Sequence, residues 1–201
     1  MSADRKQIMP TDSPHDMPEE LFQTFDDEGQ PLALVPRSRV HALGLWHRSV
    51  HVFLFDAAER LWIQQRADDK DLFPGRWDFS VGEHLRPNES YRDGALRGLA
   101  EELSVPPLEL EPLGEVRAFV LDDPARGIAD HELQLAFSAR WSGTPVADGG
   151  EVQALRAIDA ATLGDWIARA PKDFTPWFLH ELACRPGLGA FAGLGSANHR
   201  K

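Results

Sequence analysis

The stretch richest in chemistry-bearing residues is GEHLRPNESYRDGALRGLAEELSV, residues 82–105. Within it Tyr91, Ala95, Leu99 and Leu103 recur every four positions. That period predicts a helix from about Ser90 to Leu103, ended by Pro106 and Pro107. On such a helix positions 94, 98, 101 and 102 share a face, which sets Glu101 and Glu102 beside Gly94 and Gly98. Neighbouring carboxylates next to a Gly-containing loop suit Mg²⁺, a hard cation that takes oxygen ligands and keeps several waters. An isolated Glu-Glu pair is more often a solvated helix face, so the rest of the chain has to decide.

The elements that must position this helix read as follows. SVHVFLFDA (49–57) and LWIQQRA (61–67) are two strands joined by a polar turn at Ala58–Arg60. Phe73-Pro74-Gly75 marks a loop, and WDFSV (77–81) a short strand. Strands follow the helix at 113–121 and 131–141, and a last helical region spans roughly 161–183, interrupted near Pro171 and Pro176. The order β, β, β, α, β, β, α predicts an α/β fold, a mixed sheet sandwiched between helices. Residues 1–19 are polar and carry three prolines, which predicts a disordered lead-in. From Arg185 the chain is rich in Gly and Ala, which predicts a flexible tail, so the domain is placed at 20–184.

Composition narrows the class of function. At 201 residues the chain suffices for one well-buried domain. No apolar run approaches the roughly 20 residues of a membrane span, and the N-terminus lacks the apolar core of a secretory signal, so a cytoplasmic protein without a membrane partner is expected. The single cysteine, Cys184, excludes an internal disulfide. Acidic residues outnumber basic ones 32 to 21, a formal charge of −11, which disfavours a nucleic-acid partner. A small phosphorylated substrate remains compatible, because divalent cations bridge carboxylates to phosphates.

Residues 82–105 resemble the Nudix box. There a Gly is followed, after five intervening residues, by Glu and then, after seven more, by R-E-U-x-E-E-x-G-U, with U apolar. Glu89, Arg97, Leu99, Glu101, Glu102 and Val105 fall in place. Three positions depart: Glu83 stands at the Gly, Gly98 replaces the first Glu of the R-E pair, and Ser104 replaces the last Gly. Gly82 matches a second glycine usual in the family. Upstream, RLWIQQRADDKDLFPGRWDFSVGEH and VHALGLWHRSVHVF are similar to the branch near isopentenyl-diphosphate isomerase. The likeness covers about residues 20–184 and implies a Nudix fold.

That resemblance implies Mg²⁺ or Mn²⁺ held by Glu101, Glu102 and the Gly82 carbonyl. Glu83 follows that carbonyl directly, so its side chain either partly compensates for the carboxylate missing at Gly98 or points to solvent. The resemblance also implies a scaffolding ion pair between Glu89 and Arg97. The isomerase branch further implies a second, transition-metal site for Zn²⁺ or Mn²⁺ at His47, His84, Asp130, Glu132 and, one residue out of register, His41. The isomerase's essential Cys, however, corresponds to Gly82, and its catalytic Tyr to Ala118 or Phe119. The chain's one tyrosine is Tyr91, so the double-bond shift lacks its acid and base.

Hydrolysis asks less of side chains. The expectation is a metal-dependent hydrolase that cleaves a diphosphate linkage in a small, nucleoside-diphosphate-type molecule. Glu102 and Glu132 would be its catalytic residues, Glu132 as general base with Asp130 or Glu151 in reserve. Trp46, Trp62, Phe73, Trp77 and Trp177 are candidates for stacking on a base. The competing expectation is a Nudix-fold binding module without turnover, in which Gly98→Glu would restore activity. Relatives of this kind are often dimers, which implies a homodimer.

Overall fold

The structure, a computed structural model, describes residues 19–125 and 127–195. All but the last residue of the expected lead-in over 1–19 lies outside the described residues.

In chain order the elements are β1 (Leu21–Phe25), β2 (Pro31–Pro36), α1 (Arg37–Leu43), β3 (His47–Phe55), β4 (Leu61–Arg66), β5 (Trp77–Asp78) and β6 (Val81–His84). There follow α2 (Tyr91–Leu103), β7 (Glu111–Pro112), β8 (Arg117–Asp123), β9 (Ile128–Arg140), β10 (Val152–Ile158), α3 (Ala160–Arg169) and α4 (Pro176–Cys184). β1 and β2 form a hairpin of their own. The main sheet runs β10-β4-β3-β9-β7, with β5 on β4, β6 on β3 and β8 on β9.

β3 is the spine. It pairs in parallel with β9 from His47↔Glu132 to Phe55↔Arg140. Its other edge is shared: Leu54 and Phe55 meet β4, while Ser49 to Val52 meet β6. Because strand side chains alternate, Val50, Val52 and Leu54 pack with Val81 against Ala95, Leu99 and Leu103 of α2. Phe53 and Phe55 face the other way, into a core with Leu163 and Ile167 of α3 and Phe178 and Leu182 of α4. The mixed sheet thus lies between helices. None of the helices among the described residues is long and apolar enough to cross a membrane.

Several elements differ from the sequence reading. The strand expected at 77–81 divides because the chain changes partner: β5 pairs with β4 and β6 with β3, and between them Ser80 Oγ accepts the Leu54 amide at 2.8 Å. The hairpin β1–β2 and the short α1 were not anticipated. Pro31 and Pro36 bound β2, and prolines argue against strand in a local reading. From Arg185 on, the expected flexible tail is instead packed where it is described. Arg185 is buried, and the 3₁₀ turns over Pro186–Phe191 put Leu188 and Phe191 into the core.

α2 begins at Ser90, whose side chain accepts from the Asp93 amide, the usual way of satisfying a first-turn donor. It ends on Ser104 at φ 54°, ψ 31°. That left-handed geometry is one glycine adopts without strain, which accounts for the Gly of the box pattern that Ser104 replaces.

Candidate functional site

Four elements bring the histidines and acids together. β3 presents His47, Ser49 and His51 on the face shared with Phe53. β9 supplies Asp130, Glu132 and Gln134, with Glu132 level with His47 and Gln134 level with Ser49. β6 adds His84, opposite Ser49, and α1 adds His41, one turn after Arg37. Ligand atoms of His41, His47 and His84 lie within 4.8 Å of one another, and so do those of His47, Asp130 and Glu132. Phe22 from β1 closes the back of this cluster, its ring 5.4 Å from His47 and 4.7 Å from His84.

The cluster is set up to donate lone pairs. His47 Nδ1 lies 2.9 Å from the Leu45 carbonyl, which can only accept, so the proton sits on Nδ1 and Nε2 is left basic. Burial, then the charge of His84, lowers His47 to about 4 and His41 to about 3. Both rings are therefore neutral at neutral pH. Their Nε2 atoms, and Asp130 Oδ1, are buried without a hydrogen-bond partner. Burial and the adjacent Glu132 charge push Asp130 up to about 8. Burial also pushes Glu132 upward, but the bond and charge of His84, with His47 beyond, outweigh it and hold Glu132 below the usual carboxylate range. Buried imidazole and carboxylate donors with no protein partner fit a borderline divalent ion such as Zn²⁺ or Mn²⁺.

Glu132, the expected general base, sits inside this donor cluster, bonded by His84 at 3.2 Å and by Gln134.

A cavity of ≈ 80 Å³ opens over His41, His84, Asp130 and Glu132, and a second, of ≈ 190 Å³, beside it is lined by Gln64, Glu83, Glu101, Glu102 and Glu151 with several cations. Arg37, Arg66, Lys70, Gly82, Glu83 and His84 line both. Glu102 is 4% exposed. Its Oε2 accepts from Gln64 Nε2 at 3.3 Å, while Oε1 has no partner. Burial, then the charges of Glu83 and Glu151, pushes Glu102 far above its ordinary range. Lys70 ion-pairs with Glu151 across this basin.

Glu101 is not brought into the buried set. The buried stripe of α2 runs through Gly94, Gly98 and Glu102, and Glu101 falls on its solvent edge, with Arg97 and Arg86 each at 3.4 Å. The expected pair is present: Arg97 Nε donates to Glu89 Oε1 at 2.8 Å and Nη2 to Oε2 at 3.0 Å. Arg97 Nη2 also reaches the His84 carbonyl at 2.9 Å, tying helix to loop. His131 points away from the cluster, to Asp122 at 2.9 Å, as its odd place between Asp130 and Glu132 requires.

Of the aromatic candidates, Trp177 lines the first cavity, its Nε1 donating to Asp78 Oδ2 at 2.6 Å. Trp77 instead packs on Trp166, and Trp46 on His131. Sequence reasoning missed the cations Arg37, Arg66 and Lys70, which lie on three separate segments and share no local pattern. It also missed the buried network in which His51 Nδ1 meets Glu181 Oε1 at 3.1 Å and Arg185 bridges Glu181 to the carbonyls of Leu113 and Glu115.

Comparison with known proteins gives the family and the fold. A family model of the NUDIX domain matches residues 45–178. The isopentenyl-diphosphate Delta-isomerase of Burkholderia multivorans is 37% identical over 172 residues, 85% of this chain and 94% of that protein. The protein of the same name from Streptomyces griseus is 33% identical over 175 residues, 86% and 87% of the two. Among solved structures, one from Deinococcus radiodurans superposes with a TM-score of 0.60 at 24% identity, covering 75% of this chain and 90% of that one. The MutT protein from Methanosarcina mazei Go1 gives 0.52 at 14% identity, covering 73% and 92%. Those two likenesses are of fold.

Proposed function

Because the chain belongs to the Nudix family, we propose that it is a metal-dependent hydrolase cleaving the diphosphate linkage of a small molecule. The carrying observation is a set of buried donor atoms without protein partners, on His41, His47, Asp130 and Glu102, in two adjoining cavities walled by Arg37, Arg66 and Lys70. In this reading His41, His47, His84, Asp130 and Glu132 hold one divalent ion, and Glu102 with the Gly82 carbonyl a second, of the Mg²⁺ or Mn²⁺ kind. A cation bound there supplies positive charge to the diphosphate oxygens and acidifies a water.

The chain's own groups do the rest. Arg37, Arg66 and Lys70 neutralise and orient the diphosphate. Glu151, on the open side of the basin, accepts the proton of the water as its oxygen bonds to phosphorus and the bridging P–O bond breaks. Leu72, Phe79 and Trp177 offer an apolar wall to the group the diphosphate carries; a nucleoside base is the substrate feature we assign to it.

The relatives are named for isomerising isopentenyl diphosphate. By the resemblance, this chain has Gly82 where that chemistry needs a thiol, and Ala118 or the buried Phe119, the latter opposite Glu132, where it needs a phenol. Tyr91 lies on α2 with its hydroxyl donated to the Leu133 carbonyl at 3.0 Å. A second reading, a binding module without turnover, is favoured by one observation, the absent box carboxylate at Gly98.

The test is a panel of nucleoside diphosphates, dinucleotides, sugar nucleotides and isopentenyl diphosphate with Mg²⁺ and with Mn²⁺. Released phosphate or monophosphate is followed beside Glu102→Gln. Turnover lost in Glu102→Gln supports hydrolysis. Silence on every compound with ligand still bound means the binding module, and isomerisation without phosphate release would overturn both.

A further inference from the structure

The missing carboxylate of α2 has a geometric counterpart on β6. Glu83 shares with Val81 the face of β6 that packs on α2. Its side chain lies in the notch left by Gly98: a Cβ at position 98 would stand 2.6 Å from Glu83 Cγ and 2.4 Å from Val81 Cγ1. The same notch faces Glu102 Oε1, 3.4 Å from that Cβ position. So the stem of one carboxylate and the unpartnered oxygen of another converge on the one helical residue that has no side chain.

We propose that Glu83 supplies from β6 the metal-binding carboxylate that α2 lacks, and that Gly98 is the space this exchange requires. A divalent cation of the Mg²⁺ or Mn²⁺ kind in the basin is then held between Glu83 and Glu102. This deepens the metal-dependent reading above and removes the main reason for the binding-module alternative.

Two observations support it. Glu102 Oε1 is fully buried with no donor among the described residues, a state that is costly for a carboxylate unless a cation completes it. Arg97, the cation paired with Glu83, is already divided: Nη1 meets Glu83 Oε1 at 2.8 Å while its other nitrogens hold Glu89 and the His84 carbonyl. One Glu83 oxygen is thereby anchored, leaving the other for a metal. Glu83 as a mere partner of Arg97 is the plain alternative, and Glu83→Gln separates the two. Gln keeps an oxygen for Arg97 but loses the charge that a hard cation needs.

The same geometry bears on Gly98→Glu. A side chain added there meets Val81 and Glu83 before it reaches a metal, so that substitution displaces Glu83 rather than restoring a site.

The experiment is Mn²⁺ binding to the whole chain without substrate, read by electron paramagnetic resonance with one equivalent of Zn²⁺ present for the imidazole cluster. Thermal unfolding is measured on every variant. Glu83→Gln is expected to weaken Mn²⁺ binding at least tenfold with the melting temperature kept, as Glu102→Gln does. Gly98→Ala, which pushes Glu83 aside, is expected to weaken binding in the wild-type background and to change it less than twofold in Glu83→Gln, since both act on one ligand. Unchanged affinity in Glu83→Gln, additive effects of the pair, or no response to Glu102→Gln would each overturn the proposal. Turnover is not read, so a failure of the hydrolase reading leaves this result intact.

Discussion

The ring of Phe79 occupies the room that a side chain at position 82 would need: a Cβ on Gly82 would lie 2.6 Å from Phe79 Cε2. Phe79 is itself held by stacking on His51, ring centres 4.1 Å apart, and by the core beneath. Position 82 on β6 is therefore closed to a side chain by an aromatic ring that the core itself holds in place.

It follows that Gly82→Cys does not recreate an isomerase. Overpacking against Phe79 is expected to cost about 1–3 kcal/mol, measured as a lower urea midpoint. Incubation with isopentenyl diphosphate is expected to yield no dimethylallyl product. Isomerisation by this single variant would show that Phe79 yields freely and that the phenol is dispensable.

Metal removal is expected to destabilise the chain through the imidazole cluster. A cation that binds only the folded state at 100 times its dissociation constant adds about 2.7 kcal/mol. In a domain of this size that corresponds to roughly 5–10 °C in melting temperature. Differential scanning calorimetry with Zn²⁺ or Mn²⁺ against chelator should show the shift, and His84→Gln should lose most of it. An equal shift in that variant would place the ion elsewhere.

Ser104 holds a left-handed conformation at the end of α2, which costs a residue with a side chain roughly 1–2 kcal/mol. Ser104→Gly is expected to recover about 1 kcal/mol without altering Mn²⁺ affinity. Denaturant unfolding checks it; a loss of stability would mean that flexibility gained by the unfolded chain dominates.

Glu181 gives a pH dependence away from the metal ligands. Burial pushes its carboxyl up, but the bond from His51 and those of Arg185 outweigh this and hold it at about 2, against an ordinary 4.5. A lowered folded value means stability present above pH 4.5 and lost as pH falls toward 2. Removing one partner of a buried pair costs about 3 kcal/mol or more. Glu181→Gln should therefore be markedly less stable than wild type at pH 7, with the gap closing between pH 4.5 and 2. A gap constant with pH would show that shape rather than charge matters there.

Part of the candidate site was legible in the sequence. The four-residue apolar period located α2 and strand alternation set Asp130 and Glu132 on one face, while the Glu89–Arg97 tie and the cluster of histidines and acids followed from the resemblance to the Nudix box and the isomerase branch. His41 could be placed only one residue out of register, since α1 follows a proline-bounded hairpin whose own pattern is weak. A helical wheel treats positions 101 and 102 as near equals; packing of α2 puts Glu102 inside and leaves Glu101 on the exposed rim of the same cavity. Phe22, Arg37 and Lys70 carry no sequence signal at all; only the tertiary fold brings them to the cavity.

The parallel pairing of His47 with Glu132 also has a temporal meaning. Strand partners so distant along the chain close late, after hairpins and helices have formed, and during synthesis β3 emerges long before β9. Until that pairing is made, His47 has neither Asp130 nor Glu132 beside it. In the metal-dependent reading proposed above, the full donor set would therefore be complete only once this late contact has formed.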